Sequence, residues 1–497
     1  SSSNDLTNVI IGEVVEDKNT TTTALNTSGN IDTGVSKDVP LVIANNSNND
    51  IDIIIGVASG YVGNTITYGS NGYPNGTKIT NTYNNSDIKS SCEGKIGDTS
   101  NCIEKYEGDT KYIYCLSSTE TLEGDPSGAN RPVLAEGMIP ITYDGTNWVK
   151  ADQYGAYNNW YDYGNQKWAN AVMVTSAKRE TYMNADVGTV VPEADILAYF
   201  VWIPRYKYKL FNATYASGTT EQLIEITFEN GTSTTGTVTC SYDTSGNETC
   251  QKKANGNWYT HPAFTFGDTE LKGIWVGKFE TTGSTTAPTV KPGVSSLTSI
   301  TIANMYNTGK LFRSKNYLTI TGANETDTHM IKNIEWGAVA YLKQSKYGLG
   351  VTDIVSSSNS NGVIYTGGGS GTSYKTNIGQ STSGNITGVY DMSGGAWEYV
   401  MGNYNKTAGS SGLTVSGISA EHIDIYSGTN VSYSHLGDAM GETARWYSDC
   451  VDNSHRSWFA RGLKTGPGGH AGVFSFGTYT GEANNYYGFR VVLSVIK

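Results

Sequence analysis

Charge is scarce in this chain. Asp, Glu, Lys and Arg make up only 16% of its 497 residues, and no run of Lys or Arg forms a basic stripe. With a formal net charge of −12, it lacks the electrostatic footprint that a nucleic-acid partner requires. No window approaches the length of apolar sequence that a membrane-spanning helix needs. The six cysteines contain no Cys-x-x-Cys pair, so a structural zinc site is not expected. The six histidines (His261, His329, His422, His435, His455 and His470) show neither His-x-x-x-His nor His-x-Glu spacing, and no metal centre is expected from them. The opening Ser1-Ser2-Ser3-Asn4 has no secretory-leader pattern and reads as a mature or trimmed end, with any anchor removed or carried by another chain.

What is present points to strands and loops. There are 59 glycines and 34 tyrosines, with Thr, Ser and Asn abundant throughout. Thr and Tyr suit a pleated surface, and Gly and Asn suit turns. The length implies two to four domains. Residues 1–116 carry short apolar alternations at 8–15, 39–44, 51–57 and 111–115, separated by Asn/Gly/Ser turns. They read as a β-sandwich-like spacer or assembly module. Residues 117–135 read as a linker. The even cysteine count suggests an oxidising compartment, with hairpin disulfides Cys92–Cys102 and Cys240–Cys250, and Cys115 and Cys450 left over.

Residues 136–195 open with a hairpin signal, a strand up to Asp144-Gly145 and a return carrying Trp148. The aromatics after it (Tyr154, Tyr157, Trp160, Tyr161, Tyr163 and Trp168) read as a core that packs this hairpin onto the next domain. Further on, the pattern predicts a helical turn at 193–200, strands at 200–210 and 273–280, and a helix at 329–342 with Asn333 as N-cap. Residues 348–380 read as loops, long enough to be functional.

The stretch Gly388-Val-Tyr-Asp-Met-Ser-Gly-Gly-Ala-Trp-Glu-Tyr-Val400 mixes a strand-like start, a glycine turn and large aromatics. Together with Phe200-Val-Trp-Ile-Pro204, Trp275-Val-Gly-Lys-Phe-Glu-Thr-Thr282, Asn333-Ile-Glu-Trp-Gly-Ala-Val-Ala-Tyr341, Arg461-Gly462 and Gly488-Phe-Arg-Val-Val-Leu493, it resembles the formylglycine-generating (sulfatase-modifying factor) version of the C-type lectin fold. The motifs run in the family's order over residues 196–497. The resemblance implies an α+β, strand- and loop-rich fold, with a lectin-like domain following the N-terminal β module. It implies a scaffold motif of Asp391, Gly394, Gly395, Trp397, Glu398, Arg461, Gly462, Phe489 and Arg490, with Trp397 buried beneath the terminal strand.

Departures from the family pattern decide the expected function. The oxidising enzymes carry reactive cysteines after the Arg-Gly element, and no cysteine follows Arg461 here. The iron-dependent relatives use a histidine cluster that these spacings do not supply. The expected function is therefore binding rather than catalysis, as in the variable proteins of diversity-generating retroelements. The expected ligand-binding residues, projecting between framework positions, are Trp458, Ala460, Leu463, Lys464, His470, Ser475, Thr478, Tyr479, Asn484, Asn485, Tyr486 and Tyr487. Leu463 stands where the family has a second glycine. Calcium is the one cofactor the resemblance suggests, with Asp391 and Glu398 as candidate ligands. Against this, Asp391 can equally cap a turn and Glu398 can pair with Arg490 or Arg461. The expected role is a secreted or surface-displayed adhesin of a bacterium or phage. It would recognise a host or bacterial surface protein or glycan, and self-assemble through its N-terminal module. A pilin-type filament subunit with a lectin-like head is the alternative, and an oxidase of the formylglycine-generating type is disfavoured.

Overall fold

The computed structural model describes residues 51–57, 61–68, 102–107 and 110–115, and then 125–496 except for 154–156, 211–219, 237–239, 243–247, 251–253, 255, 358–363, 453, 455 and 464–470. The chain forms two compact units, Ser1–Glu123 with Asn184–Asp186, and Gly124–Met183 with Val187–Lys497. In the first unit two antiparallel hairpins are described, Ile51–Val57 with Tyr61–Tyr68 and Cys102–Glu107 with Thr110–Cys115. The strands expected at 8–15 and 39–44 lie outside the described residues, as does Cys92. The second hairpin sets Cys102 directly opposite Cys115, and the expected Cys92–Cys102 loop lies outside the described residues.

The larger unit is mixed α+β and strand-rich. In chain order it begins with β1 (Met138–Tyr143), β2 (Trp148–Lys150), β3 (Asn170–Val174), β4 (Ile196–Pro204) and β5 (Gly273–Gly277). Helix α1 (Ile302–Gly309), β6 (Thr326–Met330) and helix α2 (Asn333–Lys343) follow. The chain finishes with β7 (Trp397–Tyr404), β8 (Asp424–Tyr426), β9 (Trp458–Gly462), β10 (Gly472–Tyr479), β11 (Tyr487–Phe489) and β12 (Val491–Val495). One seven-stranded sheet has the order β6-β12-β5-β4-β3-β1-β2. A five-stranded sheet has the order β8-β7-β9-β10, with β11 parallel to the start of β7.

The division drawn at residue 195 falls inside the larger sheet. Strands β1, β2 and β3 from the hairpin region hydrogen-bond onward to β4, so 136–195 is part of this unit rather than a layer packed on it. Four of the aromatics there are core, while Tyr154 lies outside the described residues. Trp160, Tyr161, Tyr163 and Trp168 are buried, and Trp160 stacks on Trp275 with centroids 6.3 Å apart. Their polar ends are met by carbonyls: Trp160 Nε1 donates to Asn170 O at 2.8 Å, Trp168 Nε1 to Tyr347 O at 2.7 Å, and Tyr163 Oη to Trp202 O at 2.7 Å. Part of the expected linker is also docked, since the Asp125 carboxylate accepts from Tyr163 N–H at 2.7 Å and Asn130 Nδ2 donates to Lys272 O at 3.0 Å.

Two local expectations change. The predicted helical turn at 193–200 is strand from Ile196 onward, because its β-branched and aromatic side chains pair on both sides, with β3 and β5. The chain leaves the sheet at Arg205, whose buried guanidinium pairs with Glu229 at 3.3 Å and Glu270 at 2.6 Å. The predicted helix at 329–342 divides into β6 and α2, with Lys332 rather than Asn333 at the N-cap. Glu335 explains the break, since its carboxylate accepts from Lys332 N–H at 2.8 Å and satisfies a donor at the helix start. Every residue of α2 is buried, so periodicity alone could not place its start.

Candidate functional site

The glycine turn of the 388–400 stretch is tightly held. Gly394 and Gly395 have φ of 79° and 72°, and a Cβ on Gly395 would strike the Glu280 carboxylate. Glu398 and Arg490 form a two-point ion pair at 2.5 and 3.1 Å, with both side chains fully buried. Arg490 also donates to Gly277 O at 2.7 Å and Tyr390 O at 2.9 Å. Asp391 accepts from Gly367 N–H through both oxygens at 2.8 and 3.0 Å, and from Ser357 Oγ at 3.3 Å. Both carboxylates weighed as calcium ligands thus have protein partners. Glu280 accepts from Ala396 N–H at 2.7 Å and from Ser296 Oγ. Burial pushes Asp391 up to about 6, against the pull of Arg490. It likewise pushes Glu398 up to about 7. Burial and the two neighbouring carboxylates hold Glu280 well above the usual range. Arg461 is fully buried too. It donates to Asn333 Oδ1, Asp438 O and Ala439 O, at 3.2, 3.2 and 2.7 Å, with Trp336 and Phe476 against its guanidinium. These side chains are buried and hydrogen-bonded within the fold.

The expected contact face is mostly interior. Trp458, Ala460, Leu463, Ser475, Thr478, Tyr479 and Tyr487 are all buried, which corrects the expectation that they project outward. The physical reason is that β9 and β10 are covered on both faces, so alternation along them separates two buried sides rather than an inner from an outer one. Trp458 Nε1 donates to Ala408 O at 2.8 Å. Tyr479 and Tyr487 pack together at 4.9 Å, with Trp397 at 5.0 and 5.5 Å from them. Trp397 is half-buried rather than wholly buried, and its Nε1 has no hydrogen-bond partner among the described residues. Three expected residues reach solvent to some degree, in the turn before β11: Asn484 is half-buried, and Asn485 and Tyr486 are exposed. The Asn484 side chain accepts from Tyr486 N–H at 3.0 Å, and its carbonyl accepts from Ser299 N–H at 2.9 Å. Lys464 and His470 lie outside the described residues.

Protein-family models offer no match to this chain, and no curated protein matches it.

A second cluster arises where no site was expected. Asp327 and His329 sit two residues apart on β6, so their side chains share one face. His422 reaches them from a short helical turn at 420–422. The Asp327 Oδ1 oxygen lies 2.7 Å from His329 Nδ1 and 3.0 Å from His422 Nε2. The imidazoles stack with centroids 5.2 Å apart and 22° between planes, with Phe266 against both. His329 Nε2 faces the two Glu335 oxygens at 3.0 and 3.1 Å, and His422 Nδ1 faces Tyr306 Oη at 3.1 Å. Burial drives the His329 ring down, but Glu335 and Asp327 outweigh it and hold the ring up at about 9. Asp327 is held well below the usual carboxylate range despite its burial, because both histidines bond to it. The available signal was Asp327-Thr328-His329, an alternation on a strand. His422 lies too far along the chain for any spacing rule to join it.

Proposed function

We propose that this chain is a secreted or surface-displayed binding protein of the lectin-like, formylglycine-generating-enzyme type. In this reading residues 196–497 form the binding domain, carried on the sheet that 136–195 completes. The N-terminal β module serves display or assembly. The ligand is a protein or glycan on a host or bacterial surface.

The observation that carries this reading is Tyr486. It stands exposed on a turn whose two ends are pinned by the buried Tyr479 and Tyr487. A rigid aromatic presented beside the amides of Asn484 and Asn485 is the usual chemistry of a contact face. The contact face therefore narrows to Asn484, Asn485 and Tyr486 among the described residues. Leu463 also fits the resemblance. Its φ of 24° lies in the region that favours the glycine found there in the family.

Cys450 supports a binding rather than an oxidising role. Burial and the nearby Asp452 and Asp449 push its thiol up, away from the thiolate that reactive cysteines need. Probing glycan arrays and intact bacterial and host cells with the full chain tests the reading. Binding that weakens at least tenfold in Tyr486→Ala supports it. Binding that is unchanged in Tyr486→Ala and Asn485→Ala removes this face. Retroelement diversification makes a separate expectation: a near-copy of the coding sequence beside a reverse transcriptase, differing at adenines in the codons for 484–486 and not in those for Trp458 or Tyr487.

A further inference from the structure

Outside the binding face, Asp327, His329 and His422 bring three potential ligand atoms together. The donor atoms, one from each residue, lie within 4.8 Å of one another. In a tetrahedral site with bonds of about 2.0–2.1 Å, neighbouring ligand atoms stand roughly 3.3 Å apart. The observed separations of 2.7 and 3.0 Å around Asp327 Oδ1 are close to that spacing, so only a small widening would admit an ion.

The outer partners strengthen the case. A histidine that ligates through one ring nitrogen commonly gives its other N–H to an oxygen, which fixes tautomer and ring direction. His329 has the Glu335 carboxylate behind Nε2, and His422 has the Tyr306 hydroxyl behind Nδ1. Both inward nitrogens, Nδ1 of His329 and Nε2 of His422, converge on the same aspartate oxygen. With neutral imidazoles the buried Asp327 and Glu335 supply two negative charges toward a dication, with Lys332 acting on Glu335 and Lys310 on Asp327. Arg313 lies 3.5 Å from Asp327 Oδ2, and its side chain is half exposed to solvent.

We infer that Asp327 Oδ1, His329 Nδ1 and His422 Nε2 bind a borderline first-row divalent cation of the zinc class. Two imidazoles and one carboxylate suit Zn²⁺, Co²⁺ or Ni²⁺ better than the all-oxygen sites of Ca²⁺ or Mg²⁺. Coordination replaces the protons shared between the imidazoles and Asp327, which leave to solvent as the ion binds. The ion would tie β6 of the seven-stranded sheet to the turn that leads into β8 of the five-stranded sheet. This inference does not depend on the binding face at Tyr486.

The test uses the full chain without a histidine tag, dialysed against chelator. It is titrated with ZnCl₂ by calorimetry and with CoCl₂ by visible absorption. The expected result is one ion per chain, cobalt d–d bands of a site with nitrogen ligands, and a melting temperature raised by zinc. His422→Ala should weaken zinc binding by roughly 50-fold or more and abolish the thermal shift, with near-UV circular dichroism verifying its fold. Tyr306→Phe keeps all three ligands and should weaken binding about tenfold. Absence of saturable zinc binding, or equal affinity in the wild type and His422→Ala, overturns the site. If His422→Ala does not fold, Tyr306→Phe decides: weaker binding supports the site and unchanged affinity overturns it.

Discussion

Glu398 in β7 and Arg490, the residue that follows β11, are joined at two points and sealed from solvent. Arg490 also donates to the carbonyls of Gly277 and Tyr390, so one guanidinium links the seven-stranded sheet to the glycine turn. Removing one partner of such a pair leaves a buried charge uncompensated. Glu398→Ala should therefore cost about 3–5 kcal/mol of stability in chemical denaturation of the full chain. A loss below about 1 kcal/mol would mean that the carbonyls alone hold Arg490.

Trp397 and Tyr486 should separate structure from recognition. Trp397 is half-buried against Tyr479 and Tyr487, and Trp397→Ala should cost roughly 2–3 kcal/mol, below the full-core value because one side meets solvent. Tyr486→Ala should change stability by about 0.5 kcal/mol or less while weakening binding. Thermal melts of both variants, compared with their cell or glycan binding, decide this. A large melting loss in Tyr486→Ala alone would reverse the assignment.

His261 makes the larger unit acid-sensitive. The ring is fully buried, with Nε2 donating to Gly437 O at 2.9 Å and Nδ1 accepting from Ala263 N–H at 3.2 Å. Acceptance at Nδ1 needs the neutral ring, and burial holds its pKa down at about 3. The unfolded ring takes its proton near 6.5, so the unfolded state binds more protons below that pH. Stability from this residue is complete above about 6.5 and is lost as the pH falls towards 3. Between pH 7 and 4 the wild type should lose roughly 3 kcal/mol relative to His261→Gln in pH-dependent denaturation. Parallel pH curves for the two proteins would refute it.

The hairpin registers make a covalent prediction. Cys240 lies directly opposite Cys250, and Cys102 directly opposite Cys115. Opposed residues of an antiparallel pair have Cα atoms about 4.5–5.5 Å apart, within disulfide range. Non-reducing peptide mapping of protein from an oxidising compartment should find both linkages and leave Cys450 free. Recovery of a Cys92–Cys102 peptide would show that the second register does not govern the pairing.

Much of the architecture was legible along the chain. The Asp144-Gly145 hairpin and the start of the strand expected at 273–280 declare themselves through turn chemistry or apolar runs a few residues long, whereas the single terminal strand expected at 488–493 breaks at Arg490 into β11 and β12, which join different sheets. The glycine turn at 394–395 is readable for the same reason, because a backbone that must adopt positive φ selects its residue locally. Side-chain direction was not legible where a strand is buried on both faces. Trp458, Tyr479 and Tyr487 have the composition of a contact face, and only the neighbouring strands and loops turn them inward. The partners of charged residues were undetermined for a related reason. Glu398 could pair with Arg490 or Arg461, and the parallel placement of β11 beside β7 chose Arg490. His422 meets Asp327 and His329 through two sheets brought together in space, and a contact across some ninety positions leaves no trace in local sequence. Local backbone preference is written residue by residue, whereas the meeting of distant side chains is set by packing, which belongs to the folded chain as a whole.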